Sequence, residues 1–194
     1  VLEALDEDPH TQAYVPVASP TFLGRSSELR EVLALADNVL HGAHGARIVE
    51  ILGPPGIGRS RFLREVKWSL ASLLDVVEGY AEQPQAIHAL LTRATGLTLP
   101  VSNLAALQAI NVLANRTSAL ALVLDDSDQL DPDQRELFNV LLRTTEAHHP
   151  LLIIHTAKQA SFEQDALQLS VRLDPLSRDH VSQWLALCFI SASC

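Results

Sequence analysis

The sequence has few aromatic residues, few cysteines and no long apolar run, and each shortage excludes a class of protein. Aromatic residues make up 5% of the 194 residues and hydrophobic residues 47%, so a core would consist mainly of Leu, Ala, Val and Ile. The cysteines, Cys188 and Cys194, are too few for a disulfide framework and fit no common metal spacing. No apolar stretch is long enough to cross a bilayer, and acidic residues interrupt the N-terminal segment, so we expect neither membrane association nor a signal peptide.

Basic residues are also scarce, with 14 Lys and Arg against 23 Asp and Glu and a formal charge of −9. Phosphate backbones and anionic membranes repel such a surface, which argues against direct nucleic-acid binding. The cysteine usage favours a reducing, cytoplasmic location. Three prolines within the first 20 residues predict an extended linker at 1–20, and the remaining length suits one domain.

Apolar periodicity predicts that strands and helices alternate along the chain. Ser102 is the expected N-cap of the fourth helix, whose apolar side comprises Leu104, Leu107, Ile110 and Leu113. Asp131-Pro132 has the cap-then-proline pattern of a helix start. The alternation predicts an α/β fold of three layers, a central parallel sheet flanked by helices, with ligands beyond the carboxyl ends of the strands. Strands are predicted at 47–52, 75–80, 119–125, 151–156 and 169–173, and helices at 27–40, 59–73, 84–95, 103–115, 132–148 and from 178 onward.

A glycine-rich turn separates the first predicted strand from the second helix. Residues 53–60 read GPPGIGRS and match the P-loop pattern at every fixed position except Arg59, where the pattern has lysine. Glycines let backbone N–H groups converge on phosphate oxygens, and the helix that follows adds its positive end. An ordinary turn between a strand and a helix is the alternative. The candidate phosphate-binding residues are Gly53, Pro54, Pro55, Gly56, Ile57, Gly58, Arg59, Ser60 and Arg61.

A second signal is an apolar strand that ends in two acids, Asp125 and Asp126. Magnesium on a nucleotide needs hard oxygen ligands, which Ser60 and Asp125 would supply. Asp126 is placed to orient or deprotonate an attacking water. Taken alone, residues 125–133 fit a solvated acidic loop with a helix cap equally well, and it is the P-loop upstream that favours the metal site.

Four of the eight histidines occur as two close pairs, His41/His44 and His148/His149. Imidazole groups bind zinc, but neither pair has an obvious third ligand nearby in the sequence. Each pair also falls at a helix end or in a loop. We interpret them as surface histidines.

In their order along the chain, four landmarks resemble those of STAND-type NTPases, a regulatory branch of the AAA-related P-loop ATPases. Phe22-Leu23-Gly24-Arg25 is similar to the family's adenine-contacting element, and the P-loop and the acidic strand follow it. Residues 153–158 are similar to the sensor strand, with 173–177 beyond it. The resemblance covers about residues 21–187.

This resemblance implies that ATP or ADP binds together with Mg²⁺. Leu23, Gly24 and Arg25 would lie at the adenine, with Pro175 packed on the base. Thr156 would sense the γ-phosphate and act with Asp126 in catalysis. The implied domains are a P-loop NTPase core at 21–176 and, at 177–194, the start of a truncated helical lid.

Relatives of this kind form part of bacterial transcription activators, adenylyl cyclases and serine/threonine kinases. The implied partners are therefore other domains of a larger signalling protein such as a protein kinase, and a nucleotide-dependent oligomer is compatible with the resemblance. Arg59 keeps the charge of the P-loop lysine but not its compact shape. We expect a regulatory switch with slow or impaired hydrolysis, and a catalytically dead interaction scaffold is the alternative.

Overall fold

The structure is a computed structural model that describes residues 22–98, 100–160 and 168–191, with the backbone alone for 187–191. The predicted linker at 1–20 and Cys194 lie outside the described residues. The chain divides into two units. The larger is Gly24–Leu176, and the described part of the smaller comprises residues 22–23 and 177–191.

The larger unit is an α/β fold with a parallel five-stranded sheet in the order β2-β3-β4-β1-β5. This confirms the predicted P-loop NTPase architecture. The elements are α1 (Ser26–Leu40), β1 (Ile48–Leu52), α2 (Arg59–Leu70), β2 (Asp75–Tyr80), α3 (Ala86–Thr95), α4 (Asn103–Ala114), β3 (Leu120–Asp125), a 3₁₀ turn (Ser127–Gln129), α5 (Pro132–Thr144), β4 (Leu151–Ala157) and β5 (Gln168–Arg172), with α6 (Arg178–Ser191) in the smaller unit.

Helices cover both faces of the sheet, which explains why its inner strands are apolar without alternation. All residues of β1 and β4 are buried. Leu120, Leu122 and Leu124 of β3 pack with α3, α4 and α5 in one cluster. Because successive strand residues point to opposite faces, Ala121 and Val123 face the other layer, where α2 contacts the strands and α1 contacts α2.

The predicted caps of α4 and α5 are confirmed, but one expectation about each of these helices is wrong. The Ser102 hydroxyl caps α4 through the amide of Ala105, and the Asp131 carboxylate caps α5. On the predicted apolar side of α4, Ile110 and Leu113 are buried as expected, but Leu104 and Leu107 are exposed, because the alanines of α4 take the rest of its buried face. Helix α5 ends at Thr144 and not near 148, since the backbone of Thr145 is extended.

The smaller unit contains α6, which begins after Ser177 as predicted. The Ser177 hydroxyl accepts the backbone N–H of His180 at 3.3 Å and so caps the first turn. Within the described part of the chain, no helix combines the length and apolarity needed to cross a membrane.

Candidate nucleotide-binding site

The turn between β1 and α2 has a shape that requires glycine. A Cβ on Gly53 would lie 2.7 Å from Ile57 Cγ2 and 3.3 Å from the Leu173 carbonyl oxygen. Gly56 and Gly58 have φ values of 81° and 99°, which strain any residue with a side chain. Gly58 is also the N-cap of α2 and brings no side chain to cap the helix, so the first-turn amides border the turn. This backbone cradle fits a phosphate group.

Strand register brings the predicted residues to one edge of the sheet. Leu52 pairs with Ala157 and Leu124 with His155, so the P-loop, Asp125 and Thr156 all lie at the carboxyl ends of adjacent strands. The Thr156 hydroxyl donates to Asp125 Oδ1 at 2.6 Å, and the amide of Asp126 donates to Thr156 Oγ1 at 2.7 Å. Thr156 therefore positions the Asp125 carboxylate and the backbone of Asp126.

Arg59 contacts the acidic strand end directly. Its Nη2 lies 2.6 Å from Asp126 Oδ1, and its Nη1 donates to the Gly53 carbonyl at 3.0 Å. The Arg59 side chain is 8% exposed and that of Asp126 is 28% exposed. Asp126 holds its carboxylate there from a left-handed backbone with φ of 50°, a conformation that costs energy for a residue other than glycine.

Negatively charged carboxylates outweigh the neighbouring cations at the carboxyl ends of β3 and β4. Burial raises the pKa of Asp126, the charge of Asp125 raises it further, and Arg59 lowers it only in part. Lys158, which follows β4, lies 2.9 Å from Asp128 Oδ2. Among the described residues after β3 and β4, the carboxylates of Asp125, Asp126 and Asp128 face Arg59 and Lys158, so a divalent cation would help to offset the negative charge of a phosphate here. Hard oxygens for Mg²⁺ are present on Asp125, which is half-buried, and on Ser60, which is exposed.

The predicted adenine element contributes a buried cation. Arg25 is 5% exposed, and its Nη2 donates to the carbonyls of Ile57 at 3.1 Å and Asp174 at 2.9 Å. These bonds tie the start of α1 to the P-loop and to the segment after β5. Gly24 has a φ of 75°, and Leu23 is a half-buried residue of the smaller unit.

Pro175 lines a cavity of about 360 Å³ at the same edge of the sheet. Gly53 and Pro54 line it from the P-loop, and Lys158 lines it from the end of β4. The cavity therefore borders the turn that carries the backbone cradle.

Sequence reasoning missed the support behind Thr156. The Ser127 hydroxyl donates to the Thr156 carbonyl at 3.0 Å and lies 3.0 Å from His155 Nδ1. Because that hydroxyl has one proton, His155 must donate from Nδ1, which leaves Nε2 unprotonated, buried and without a hydrogen-bond partner among the described residues. A serine shortly after an acidic strand end and a histidine inside an apolar strand were the available signals.

The fold and the P-loop turn define the class of P-loop nucleoside-triphosphate-binding proteins. Residues 21–154, more than half of the chain, match the family model of the AAA ATPase domain, and the chain belongs to that family. It is therefore an AAA-type nucleotide-binding ATPase module. No curated protein matches the sequence.

Several solved structures share the fold at low sequence identity. A Drosophila ORC structure bound to DNA has a TM-score of 0.68 and 16% identity over 96% of this chain and 54% of that chain. Cdc6p from Pyrobaculum aerophilum has a TM-score of 0.62 and 20% identity over 87% and 51%. Aeropyrum pernix ORC1 in complex with DNA has a TM-score of 0.61 and 18% identity over 89% and 52%. The chain thus spans about half the length of these proteins.

Proposed function

We propose that this chain is a regulatory ATP/ADP-binding module in which nucleotide binding persists and hydrolysis is slow. The backbone amides of the P-loop and Arg59 hold phosphate, and Ser60 and Asp125 hold Mg²⁺. Asp126 orients the attacking water, and Thr156 responds to the γ-phosphate. Gly24, Arg25 and Pro175 form the base end of the site.

The ion pair between Arg59 and Asp126 carries this proposal. A carboxylate that orients water must be ionised and available, but Asp126 faces a guanidinium at 2.6 Å. The arginine fork also bonds the Gly53 carbonyl, so moving it toward phosphate costs two interactions. The cradle itself is formed by backbone groups and does not depend on the missing lysine. The backbone cradle therefore supports nucleotide binding, while the ion pair between Arg59 and Asp126 opposes efficient turnover.

A slow ATPase is suited to a switch, because its nucleotide state lasts long enough to set the packing of neighbouring domains. We infer that the chain acts inside a larger signalling protein, in keeping with the landmarks similar to STAND-type NTPases. Two of the similar structures contain DNA. The formal charge of −9 weighs against DNA as a ligand here, and a binding assay across salt concentrations would test this.

Thermal unfolding with nucleotide tests the proposal. A ligand that binds only the folded state raises the unfolding temperature, so Mg-ADP and Mg-ATP at millimolar concentration should each raise it by about 3 °C or more. The same nucleotides with EDTA should raise it less, because the carboxylates then face phosphate without a cation. No shift with either nucleotide would contradict nucleotide binding.

The same ion pair favours a second candidate, a nucleotide-free interaction scaffold in which Arg59 and Asp126 only stabilise the sheet edge. Val101, Leu104 and Val112 on and beside α4 are 67%, 68% and 46% exposed, and such apolar surface suits a protein partner. A thermal shift that is absent for ATP and ADP would select this candidate.

A further inference from the structure

A group of potential metal ligands lies at the edge of the sheet opposite the P-loop. Glu146, His148 and His149 belong to the loop between α5 and β4, and one ligand atom from each lies within 4.8 Å of the others. His148 Nδ1 is 3.4 Å from Glu146 Oε2, and the rings of His148 and His149 are 4.7 Å apart. Glu146 is a third candidate ligand beside the histidine pair, which the sequence analysis did not identify. The expectation of surface histidines is also wrong for His149, which is 7% exposed.

The buried side chain of Arg47 holds this loop in place. Its side chain is fully buried, and its Nε donates to the His149 carbonyl at 2.7 Å. The other guanidinium nitrogens donate to the carbonyls of Ala43, Gly45 and Ala46. One buried cation therefore fixes the loop of the histidine pair to the loop that precedes β1.

The loop before β1 brings another imidazole to the group. The ring of His44 is 6.4 Å from the ring of His148. Two cavities of about 410 and 440 Å³ are each lined by both His148 and His149, so solvent and ions reach the pair from two sides. The four side chains come from two loops that Arg47 ties together.

The donor set indicates the class of ion. Imidazole nitrogens with a carboxylate oxygen suit zinc and similar borderline cations, whereas Mg²⁺ prefers oxygen alone. Bonds of about 2.0–2.1 Å in a tetrahedral site place ligand atoms roughly 3.3 Å apart. Glu146 and His148 already meet that spacing at 3.4 Å. His149 Nδ1 accepts the Glu146 amide at 2.9 Å, and an ion that takes this nitrogen displaces that hydrogen bond.

We propose that Glu146, His148 and His149 form a site for zinc or a chemically similar divalent cation, with His44 as the fourth ligand. The ion would clip the loop after α5 to the loop before β1. The site is separate from the nucleotide-binding edge, because the two groups lie at opposite ends of the same parallel strands. It therefore does not depend on the proposed function.

Zinc titration of the tag-free chain, followed by calorimetry and thermal unfolding, tests the site. We expect one ion per chain with micromolar or tighter affinity and a rise of about 5 °C in unfolding temperature at saturating zinc. His148→Ala and Glu146→Gln should each weaken binding at least about tenfold. Both side chains are more than half exposed, at 58% and 64%, so neither change should unfold the chain.

His41→Ala is the matched control. His41 is an exposed histidine in the loop before β1, as His44 is, and it is not one of the proposed ligands. It should leave zinc affinity within about twofold of the parent chain. Mg²⁺ alone should give no heat at this site. No zinc binding below millimolar concentration would overturn the proposal, as would full affinity retained in both His148→Ala and Glu146→Gln.

Discussion

Arg59 and Asp126 are 67 residues apart in the sequence and form an ion pair of 2.6 Å across the carboxyl edge of the sheet. One is the residue that departs from the P-loop pattern, and the other is the acid expected to orient water. Their contact connects the departure to the proposed slow hydrolysis, because the arginine engages the carboxylate that we propose orients water.

Restoring lysine at position 59 should increase hydrolysis. A lysine replaces the planar two-nitrogen fork, which bonds the Gly53 carbonyl and Asp126, with one nitrogen on a flexible stem, so the cation and the carboxylate separate more easily. We expect Arg59→Lys to raise the rate of Mg-ATP hydrolysis about tenfold, a barrier lower by about 1.4 kcal/mol. Phosphate release under single-turnover conditions measures it.

Arg64→Lys is the control for that change, since Arg64 is an exposed residue of the same helix. It should leave the rate unchanged. A lysine variant that binds nucleotide as the parent does and yet hydrolyses it no faster would show that Arg59 does not limit turnover.

Gly53→Ala should distort the phosphate cradle. The new Cβ would lie 2.7 Å from Ile57 Cγ2 and 3.3 Å from a backbone oxygen, so the turn must shift. We expect a loss of about 1–3 kcal/mol in the free energy of unfolding, as for overpacked sites, and loss of the thermal shift caused by Mg-ADP. Denaturant titration with and without nucleotide measures both effects. Gly45→Ala, whose Cβ would meet nothing within 4 Å, should change neither. An unchanged nucleotide shift in Gly53→Ala would place binding elsewhere.

The stability of the chain should depend on pH through His155. Burial lowers the pKa of His155 from 6.5 to about 4. Between these values the unfolded chain binds a proton that the folded chain does not, so the free energy of unfolding falls as pH falls through this window. The loss attributable to His155 should reach about 3 kcal/mol near pH 4.

Replacing His155 with leucine removes this titration. From pH 7.5 to pH 4, the unfolding free energy of the parent chain should fall by about 3 kcal/mol more than that of His155→Leu, measured by urea titration at each pH. His41→Leu serves as the exposed comparison and should keep the steep dependence of the parent chain. Identical pH profiles for the parent and His155→Leu would refute the assignment.

Arg47 should be among the most sensitive positions for folding. Its guanidinium is buried and satisfies four backbone carbonyls, three of them in the loop before β1 and one at His149. Arg47→Met fills similar volume but leaves those oxygens without their donor, and we expect a loss of at least about 3 kcal/mol in unfolding free energy. Urea denaturation measures it. Arg30→Met, at an exposed site on α1, should cost less than about 0.5 kcal/mol, and a comparable loss there would contradict the argument.

Local patterns in the sequence predicted the elements well and their ends less well. The caps at Ser102 and Asp131 follow from residue chemistry within a single turn, and both are confirmed. The end of α5 was misplaced, because Pro150 is the first residue after Thr144 that must stop a helix. The chain turns there through the extended backbone of Thr145, whose hydroxyl donates to the Leu141 carbonyl at 2.9 Å.

The candidate nucleotide-binding site was predictable as a set of residues but not as a set of contacts. The P-loop pattern and the acidic strand end identified Arg59, Asp125 and Asp126, since each signal is contiguous in sequence. The partner of each side chain depends on strand order, which places β4 between β3 and β1. That order brings Thr156 between the two motifs, where it bonds Asp125 and accepts from the Asp126 amide.

The sequence by itself determined the α/β class, the glycine turn and the residue types at the phosphate edge, because period, capping and backbone freedom act over a few neighbouring residues. Tertiary structure alone decided that Arg59 meets Asp126, that Arg25 and Arg47 are buried against carbonyls, and that Glu146 lies beside the histidine pair. These contacts arise from the order of the strands and from loop geometry, and the free energy that selects them comes from burial across the whole sheet.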